Sequence, residues 1–532
     1  MSARPAVRQV PRAYLGLTAL LSGALVMVIE MMGSRVVGPV FGIGIFVWTA
    51  LISVTLVALA AGYAIGGLLA DRRTDGDLLY GLLASAGLLC LLVPLLKLPV
   101  LEVSAGLGVR VGPLLATTVL FGPVLVLLGC VTPFVARLAL DHVGSAGRTV
   151  GSLYALSTIG SVAGTLATGF VLIAHIGVND IFRLASGGLI AMAVGWFVTG
   201  GRPWTLVLLL APTFAAVADP PGLTRMDDGT EARVIDARTG FYGDVRVIEY
   251  SHGTRRLREL TIDGLVQGGI DPANGRSVYE YPYVIDHLLQ GAVPAARSAL
   301  VIGLGPGVLP ARLAARGVTT AVVDIDPVVV DMARRHFAFP PTLPVHVADA
   351  RAHLAGDDRA YDLVVLDVFN GDATPAHLMS HEALALVAAR LAPGGAMAAN
   401  VVGRLRGDTE MTRALLGTMA AHFDTVKLYP LFDPDRGDGD GNVVVVAYRG
   451  PDRGDPGPLR DPATVHPMAA NGVGLALARG RSSGPLDDAL VLRDDYNPVD
   501  VRDAELRETV RRDVLETTGL RVLLGAAVPE GG

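Results

Sequence analysis

Carboxylates recur directly after apolar, strand-like runs in the second half of the chain. Asp324, Asp349 and Asp367 each follow such a run. Parallel strands present their carboxyl ends at one edge of a sheet, so these three acids are expected to converge there. A carboxylate can accept hydrogen bonds from ribose hydroxyls or take a proton from a nucleophile. This edge is therefore predicted to be a ligand site.

A glycine turn, GLGPG at residues 303–307, lies between the strand-like run 299–302 and a helix-like pattern. Gly303 and Gly305 let backbone approach a ligand closely, and the helix N-terminus supplies free N–H groups. The turn is not a full GxGxxG and no phosphate-binding lysine follows it. That favours a nucleoside such as an adenosyl-sulfonium over a dinucleotide or a nucleoside triphosphate. The alternative is an ordinary tight turn followed by solvated acids.

Helix-like and strand-like patterns alternate from residue 296 to residue 450, which predicts a doubly wound, Rossmann-like α/β domain. Short strands with turns precede it and predict a small antiparallel β-subdomain over 221–295. Residues 451–532 are predicted to be a loop-rich extension with a terminal helix, and the stretch 450–484 is rich in Pro, Gly, Arg and Asp.

The first 220 residues predict a multi-pass α-helical membrane domain. Of the 532 residues 51% are hydrophobic, and mean hydropathy is +0.48. Uncharged runs cover 13–29, 36–70, 78–96, 111–136, 149–174, 184–201 and 203–218. A span needs about twenty apolar residues, so six runs are predicted spans and the last is marginal. The spacings Gly62-x3-Gly66 and Gly160-x3-Gly164 predict close helix contacts, within one chain or between protomers.

Several observations limit the class of function. The net charge of −6 comes without a basic stripe, which argues against nucleic acid as a partner. Cys90 and Cys130 lie in predicted spans and offer neither a disulfide framework nor metal-ligand spacing, so no metal is expected. Glu30 is unusual beside a span, and either an interfacial place at a helix break or a substrate or proton role would explain it.

The order of motifs resembles that of the polyamine aminopropyltransferases (spermidine synthases), and especially their membrane-fused members. The motifs are YGDVRV at 242–247, IDGLVQ at 262–267, VIGLGPG at 301–307, VVDID at 322–326, DA at 349–350 and YDLVVLD at 361–367. Residues 367–378 and DDYNP at 494–498 look typical of the fused subgroup. The resemblance covers nearly the whole chain and implies a class I methyltransferase-type fold.

The resemblance also implies roles for individual residues. Asp367 matches the catalytic carboxylate that receives or orients the proton of an attacking amine. The positions implied to bind the adenosyl co-substrate are Gly303, Gly305, Asp324, Asp349, Ala350, Pro375 and Gln267. The positions expected near the amine are Tyr279, Glu280, Asn370 and Asp372.

The chain departs from the family pattern on the amine side of the pocket. Pro306 stands where the glycine turn normally carries an acid, and Gly243 replaces a glutamine. The Tyr-His-Glu segment reads Tyr-Glu-Tyr at 279–281. Asn370 replaces the second acid, with Asp372 displaced by two positions. The adenosyl half of the pocket is thus expected to be kept and the amine half rebuilt.

Three functions follow as hypotheses. The first is a membrane-anchored aminopropyltransferase that uses decarboxylated S-adenosylmethionine and an amine such as putrescine. The second is an S-adenosylmethionine-dependent methyl- or alkyltransferase with another acceptor. The third is a non-catalytic polyamine-binding or transport protein. By resemblance a homo-oligomer, a dimer, is expected.

Arginines near the predicted spans set the expected topology. Arg8 and Arg12 precede the first span, and Arg72 and Arg73 follow the second. The positive-inside rule then puts the N-terminus in the cytoplasm, and six spans return the C-terminal half to the same side. Adenosyl-sulfonium compounds are made in the cytoplasm, so a cell-membrane protein with a cytoplasmic catalytic half is predicted. Seven spans would export that half.

Overall fold

The structure is a computed structural model that describes residues 8–42, 44–140, 146–211, 223–226, 229–369, 375–437, 439–454, 456–502, 506, 508–509 and 511–512. The chain divides into two compact units. One comprises Met1–Pro221 with Thr239–Phe241, and the other Gly222–Arg238 with Tyr242–Gly532. The four-part division expected from the sequence stays a prediction.

The first unit is helical. Its helices are α1 (Arg12–Phe41), α2 (Ile45–Arg72), α3 (Gly76–Ala105), α4 (Gly108–Leu120), α5 (Gly122–Ala139), α6 (Ala146–Ala167) and α7 (Val178–Thr199). A π-helical turn, Thr168–Leu172, continues α6, and Ile173–His175 completes it. Among the described residues six helices are long and apolar enough to cross a membrane, all of these except α4. The predicted multi-pass helical domain is confirmed in this sense.

The helix boundaries differ from the predicted spans at three places. The run 111–136 is not one helix, because the chain breaks between α4 and α5 at Phe121, where Pro123 opens the next helix and lacks an N–H to continue the first. The helix α1 runs through Glu30 to Phe41, so Glu30 is not beside a helix break. The last run forms a 3-10 helix, Pro203–Leu210, and most of its remainder lies outside the described residues.

The small-residue spacings pack helices of the same chain against each other. A Cβ at Gly62 would overlap the carbonyl oxygen of Val126 on α5, and one at Gly160 would overlap that of Leu20 on α1. Glycine at these positions lets the helix backbones touch.

The second unit begins with the predicted antiparallel β-subdomain. Its strands β1 (Leu223–Arg225), β2 (Glu231–Thr239), β3 (Asp244–His252), β4 (Arg255–Ile262), β5 (Leu265–Asp271) and β6 (Arg276–Ser277) pair in sequence order. The hairpin between β4 and β5 turns through Asp263 at φ 47° and Gly264 at φ 80°. Two left-handed residues match a two-residue hairpin loop. The Asp263 carboxylate also accepts a hydrogen bond from the Asp244 N–H at 2.9 Å.

An eight-stranded sheet forms the body of this unit. Its strands are β7 (Ser298–Ile302), β8 (Thr319–Asp324), β9 (Val345–Val347), β10 (Tyr361–Leu366), β11 (Leu391–Arg404), β12 (Thr425–Pro430), β13 (Asp440–Tyr448) and β14 (Arg481–Ser482). The order is β14-β12-β13-β11-β10-β7-β8-β9. The strands from β11 through β9 are parallel, and β13, β12 and β14 extend the sheet with antiparallel pairings.

Helices cover both faces of this sheet. They are α8 (Tyr281–Ala292), α9 (Val308–Ala315), α10 (Pro327–His336), α11 (Ala350–Gly356), α12 (His381–Arg390), α13 (Glu410–Ala420), α14 (Pro467–Ala478) and the short α15 (Val499–Arg502). Successive residues of β7 point to opposite faces, and the four from Ala299 to Ile302 are buried. Val301 packs in the core beneath α9, and Leu300 in the core beneath α12. Burial on both faces explains why the parallel strands read as unbroken apolar runs.

The stretch 450–484 contains regular structure where a loop was expected. Pro467 opens α14 behind an N-cap at His466, and Ala469, Val473 and Ala476 are fully buried. β14 then pairs with β12. Proline suits the first turn of a helix, so the Pro- and Gly-rich composition misled the sequence-based expectation here. The expected terminal helix lies mostly outside the described residues.

Candidate active site

The strand order places a crevice where the chain reverses direction across the sheet. From β7 the chain winds outward through β8 and β9, and it then returns to β10 on the other side of β7. Ligands bind at the carboxyl ends of strands at such switch points. A cavity of about 310 Å³ opens there, and the predicted residues that line it are Gly303, Gly305, Asp324, Asp349, Ala350, Asp367, Pro375 and Gln267. The structure thus brings together the glycine turn and all three acids.

The glycine turn follows β7 in a conformation that only glycine adopts easily. Gly303, Gly305 and Gly307 have φ of 92°, 51° and 79°. A Cβ at Gly303 would overlap the backbone carbonyl oxygen of Asp367. The two strand ends that carry the turn and the acid therefore approach to backbone contact, which a side chain would prevent.

Asp324 is held by backbone N–H groups on both carboxylate oxygens. Leu304 N donates to Oδ2 and Asp326 N donates to Oδ1, each at 2.8 Å. Burial raises the pKa of Asp324 to about 6, although these two hydrogen bonds act to lower it. Each oxygen keeps a second acceptor site, so the carboxylate can receive ribose hydroxyls in the cavity.

Asp367 is held by side chains that reach it from the sheet and from α8. Asn400 Nδ2 donates to Oδ1 at 3.0 Å, and Asn442 Nδ2 in turn donates to Asn400 Oδ1 at 3.0 Å. The Tyr281 hydroxyl also hydrogen-bonds the carboxylate. Burial raises the pKa of Asp367 to about 6, against the lowering effect of Asn400 and Tyr281. A carboxylate with a raised pKa is a better proton acceptor near neutral pH.

A second wall of the cavity is formed where α11 begins. The Asp349 side chain caps this helix by accepting from Ala352 N at 2.9 Å, and Ala350 lines the cavity beside it. Pro375, His377 and Leu378 face the same space. His377 Nε2 lies 4.0 Å from Asp349 Oδ2.

The hydroxyl of Tyr281 links Asp367 to the β-subdomain. It lies 3.3 Å from the carbonyl oxygen of Gln267, a residue that lines the cavity. Pro306 packs close to Gly268, so that a Cβ there would meet the proline ring at 3.0 Å. Pro306 therefore makes an apolar contact at the position where the resemblance implies an acid.

Two of the predicted amine-side residues are not among those that line the cavity. The Tyr279 hydroxyl donates to the carboxylate of Glu259, a residue that is 6% exposed. Glu280 packs against Gly472 of α14, and burial raises its pKa. Asn370 and Asp372 lie outside the described residues. The substrate roles of these four residues stay predictions.

Tyr281, Asn400, Asn442 and His377 were not singled out from the sequence as site residues. Asn400 lies within the apolar part of β11 and Asn442 near the start of β13, and no local pattern marks either of them. Their position becomes visible only when β11 pairs with β13 in the register that matches Val402 with Asn442. An asparagine among the apolar residues of β11 is the one available signal, because a buried amide such as that of Asn400 needs a polar partner.

Comparisons with known proteins find similarities to methyltransferases and to aminopropyltransferases. The family described as "Methyltransferase domain" matches residues 299–395. The polyamine aminopropyltransferase of Vibrio vulnificus is 39% identical over 139 residues, which are 24% of this chain and 46% of that protein. That of Mycobacterium tuberculosis is 30% identical over 279 residues, 47% of this chain and 51% of that protein.

Two further similarities are to a methyltransferase sequence and to a solved structure. An N-terminal histidine N-methyltransferase of Emericella nidulans is 34% identical over 174 residues, which are 32% of this chain and 30% of that protein. A solved probable spermidine synthase from Corynebacterium glutamicum has 21% identity and a TM-score of 0.37, and the match covers 40% of this chain and 79% of that one. The chain spans about half, or less, of the length of the curated relatives it matches.

The second unit thus has a class I methyltransferase-type fold, and residues 299–395 within it match the methyltransferase domain family. Part of the chain is similar to polyamine aminopropyltransferases, as its motifs predict, and its helical N-terminal unit is consistent with the membrane-fused form.

Proposed function

We propose that the protein transfers an aminopropyl group from decarboxylated S-adenosylmethionine to an amine such as putrescine. The observation that carries this proposal is Asp367, which lies at the switch point of the sheet and in the cavity. Its carboxylate is oriented by Asn400 and Tyr281 and has a pKa raised to about 6.

The adenosyl part of the co-substrate fits the side of the cavity built by β8 and α11. Asp324 would accept the ribose hydroxyls, and Asp349 and Ala350 would lie at the adenine. The backbone of Gly303 and Gly305 leaves room for the sulfonium arm between Asp324 and Asp367. This arrangement holds the electrophilic carbon near Asp367, and positioning of this kind lowers the barrier of a two-substrate reaction.

Proton transfer is the step that Asp367 would perform. An aliphatic amine has a pKa near 10 and enters as an ammonium ion, which has no lone pair for attack. Asp367 first binds the ammonium and then takes one proton from it. The freed nitrogen attacks the aminopropyl carbon, a C–N bond forms and the C–S bond breaks. The bonding electrons go to sulfur, and neutral methylthioadenosine leaves.

A methyltransferase is the second candidate. The matches to the methyltransferase domain family and to the N-terminal histidine N-methyltransferase favour it. The same geometry would serve, because a methyl group on a sulfonium is attacked in the same in-line manner. The apolar contact between Pro306 and Gly268 is the structural feature that best suits an acceptor other than a diamine.

The purified full-length chain should be incubated with decarboxylated S-adenosylmethionine or with S-adenosylmethionine, each with and without putrescine and other amines. Release of methylthioadenosine together with an aminopropylated amine supports the first proposal. Release of S-adenosylhomocysteine supports the second. Absence of both products with Asp367 intact would contradict both and favour a non-catalytic binding or transport role.

We further infer that the helical unit anchors the protein in the cell membrane with the catalytic unit in the cytoplasm. The six long apolar helices support this placement, and an even number of crossings returns the chain to its starting side. Protease added to spheroplasts should leave the second unit intact until the membrane is permeabilised. Cleavage of that unit from outside would overturn the inference. Crosslinking in the membrane tests the expected homodimer.

A further inference from the structure

The turn at residues 493–497, named the C-terminal turn here, contacts two walls of the cavity although it lies more than a hundred residues further along the chain. It closes through two backbone hydrogen bonds between Arg493 and Tyr496, both 3.1 Å. The DDYNP sequence at 494–498 resembles the membrane-fused subgroup, and this resemblance implies no chemistry for it. Its contacts in the structure assign it a role.

Asn497 holds the first wall. Its Nδ2 donates to the carbonyl oxygen of Ala376 at 2.9 Å. Ala376 lies between Pro375 and His377, which both line the cavity. The Asn497 Oδ1 accepts a hydrogen bond from the N–H of Val499 at 3.4 Å. The side-chain amide therefore donates to one partner and accepts from another.

Arg351 connects the first wall to the second. It follows Ala350 at the start of α11 and donates from Nη1 to the carbonyl oxygen of His377 at 3.2 Å. Asp494 pairs with the same guanidinium through both carboxylate oxygens, at 2.8 and 2.6 Å. This pairing lowers the pKa of Asp494 to about 2, so the ion pair persists at all physiological pH values. A bidentate pair of this kind fixes the orientation of the arginine.

The base of the C-terminal turn is anchored in the core. Leu492 is fully buried, its N–H donates to Thr418 Oγ1 at 2.8 Å, and its carbonyl accepts from His381 N at 2.7 Å. The Asp494 N–H donates to Glu382 at 3.0 Å. The turn is therefore attached to α12 and α13 and can transmit their rigidity to the cavity walls.

We propose that Asn497 and Asp494 are positioning residues that hold residues 375–378 against the start of α11 and so set the affinity of the cavity for the adenosyl group. This proposal rests on the proposed use of the cavity by an adenosyl ligand. Neither side chain is among the residues that line the cavity, so both act through Ala376, His377 and Arg351.

Direct binding of methylthioadenosine and of S-adenosylhomocysteine to the full-length chain in detergent tests this role. Asn497→Asp keeps the size and the acceptor oxygen but cannot donate to Ala376, and Asp494→Asn keeps the shape but removes the charge opposite Arg351. One lost hydrogen bond corresponds to about a fivefold change in an equilibrium constant, and one to a charged group to more, so each variant should raise the Kd by about fivefold to tenfold.

The matched control is Asp495→Asn. Asp495 belongs to the same turn and carries the same charge, but no hydrogen bond or ion pair joins its side chain to the described residues. This variant should bind as the unmodified protein does. Because the pair between Arg351 and Asp494 is partly exposed, added salt should weaken binding to the unmodified protein more than to Asp494→Asn.

Each outcome decides the proposal. Weaker binding in Asn497→Asp and Asp494→Asn, with an unchanged melting temperature and an unaffected control, supports it. Unchanged binding in both variants, or equal weakening in Asp495→Asn, overturns it, as does a failure of both ligands to bind the unmodified protein. Turnover is measured separately. If both variants bind more weakly than the control but the unmodified protein transfers no aminopropyl group, the proposed function is refuted and the positioning role remains.

In steady-state kinetics the same variants should raise KM for the sulfonium co-substrate by about the same factor, while KM for the amine and kcat change little. A general loss of folding would instead lower the active fraction and leave both KM values unchanged. An increase in KM for the amine alone would contradict the proposal.

Discussion

Asp324 and Asp367 share a raised pKa but differ in what holds them. Both carboxyls have a pKa of about 6 because they are buried. Asp324 receives two rigid backbone N–H groups, whereas Asp367 receives the side chains of Asn400 and Tyr281. The first arrangement suits a group that binds without changing its protonation state. The second suits a group that gains and loses a proton, because side-chain partners can adjust to either state.

Replacement of the proposed base is the first prediction. Asp367→Asn should lower kcat by about 10²- to 10⁴-fold, the range typical of general acid–base catalysis, because the amide cannot accept the proton of the ammonium. Binding of methylthioadenosine should change little, since Asp324 and the start of α11 remain. The measurement is the initial rate of methylthioadenosine release beside calorimetric binding. Full turnover in this variant would refute the mechanism.

The pH dependence of activity is the second prediction. Asp367 must be ionised to accept a proton, so kcat should fall as pH decreases through about 6. The Tyr281 hydroxyl lowers the pKa of Asp367, and Tyr281→Phe should therefore move this acid limb to higher pH. Rate profiles from pH 5 to pH 9 measure the shift.

The control for that experiment is Tyr279→Phe. The Tyr279 hydroxyl donates its hydrogen bond to Glu259 and not to Asp367. The pH at which kcat falls on the acid side should therefore be unchanged in this variant. The two tyrosines are two positions apart in the chain, and only the structure distinguishes them. A shift in Tyr279→Phe and none in Tyr281→Phe would contradict the arrangement described here.

At the scale of elements, the glycine turn gives the third prediction. Gly303→Ala puts a Cβ into the carbonyl oxygen of Asp367 at a positive φ, and neither strand can retreat because Asp367 N donates to Ile302 O at 2.8 Å. Overpacking and the positive φ together should cost about 3 kcal/mol of unfolding free energy or more. Thermal unfolding and adenosyl-ligand binding both measure the effect.

Gly317→Ala is the matched control for this substitution. Gly317 also has a positive φ, 85°, but nothing lies within 4 Å of the added Cβ. Only the backbone strain of about 1–2 kcal/mol is expected, without loss of binding. Equal destabilisation in the two variants would show that the close approach of the strands at Gly303 has no energetic weight.

The elements that could be predicted from the sequence are those with local signals. Asp324, Asp349 and Asp367 were found because each follows an apolar run, and parallel strands bring such positions together. Asn400 and Tyr281 could not be found in this way, because strand pairing and the placement of α8 bring them to Asp367. Tyr279 and Glu280 were assigned to the amine by family position, and a helical start at Tyr281 turns these neighbours in different directions.

At the scale of the whole molecule, the C-terminal segment completes the fold of the second unit, which gives the fourth prediction. Truncation after Gly450 removes α14, whose Ala469, Val473 and Ala476 are fully buried in the core. The shortened chain should lose the cooperative unfolding transition of this unit. Truncation after Arg512 keeps every described contact and should retain the transition. Calorimetry of both proteins compares them, and an unchanged transition in the shorter chain would contradict the prediction.

In the helical unit, composition predicts that helices are present but not where each helix ends. Long apolar runs identify helices that can cross a membrane, but they do not show where one helix ends within a run. The break at Phe121 falls at the pair Gly122-Pro123, whereas a second pair in the same apolar run, Gly112-Pro113, lies inside α4 and does not end it. The register of α1 against α6 depends on glycine contacts that a hydropathy average does not register.

The attachment of Asp367 has a consequence for how such an enzyme can diverge. Asn400, which itself accepts a hydrogen bond from Asn442, donates to the carboxylate from inside the sheet, whereas other residues that line the cavity come from the β-subdomain and from the chain after β10. Mutations on the substrate side can therefore accumulate without disturbing the reactive group, provided that the contact of Tyr281 with Asp367 is kept. A protein engineer who exchanges that side for one of a different relative should retain Tyr281, because it is the point at which selectivity and reactivity meet.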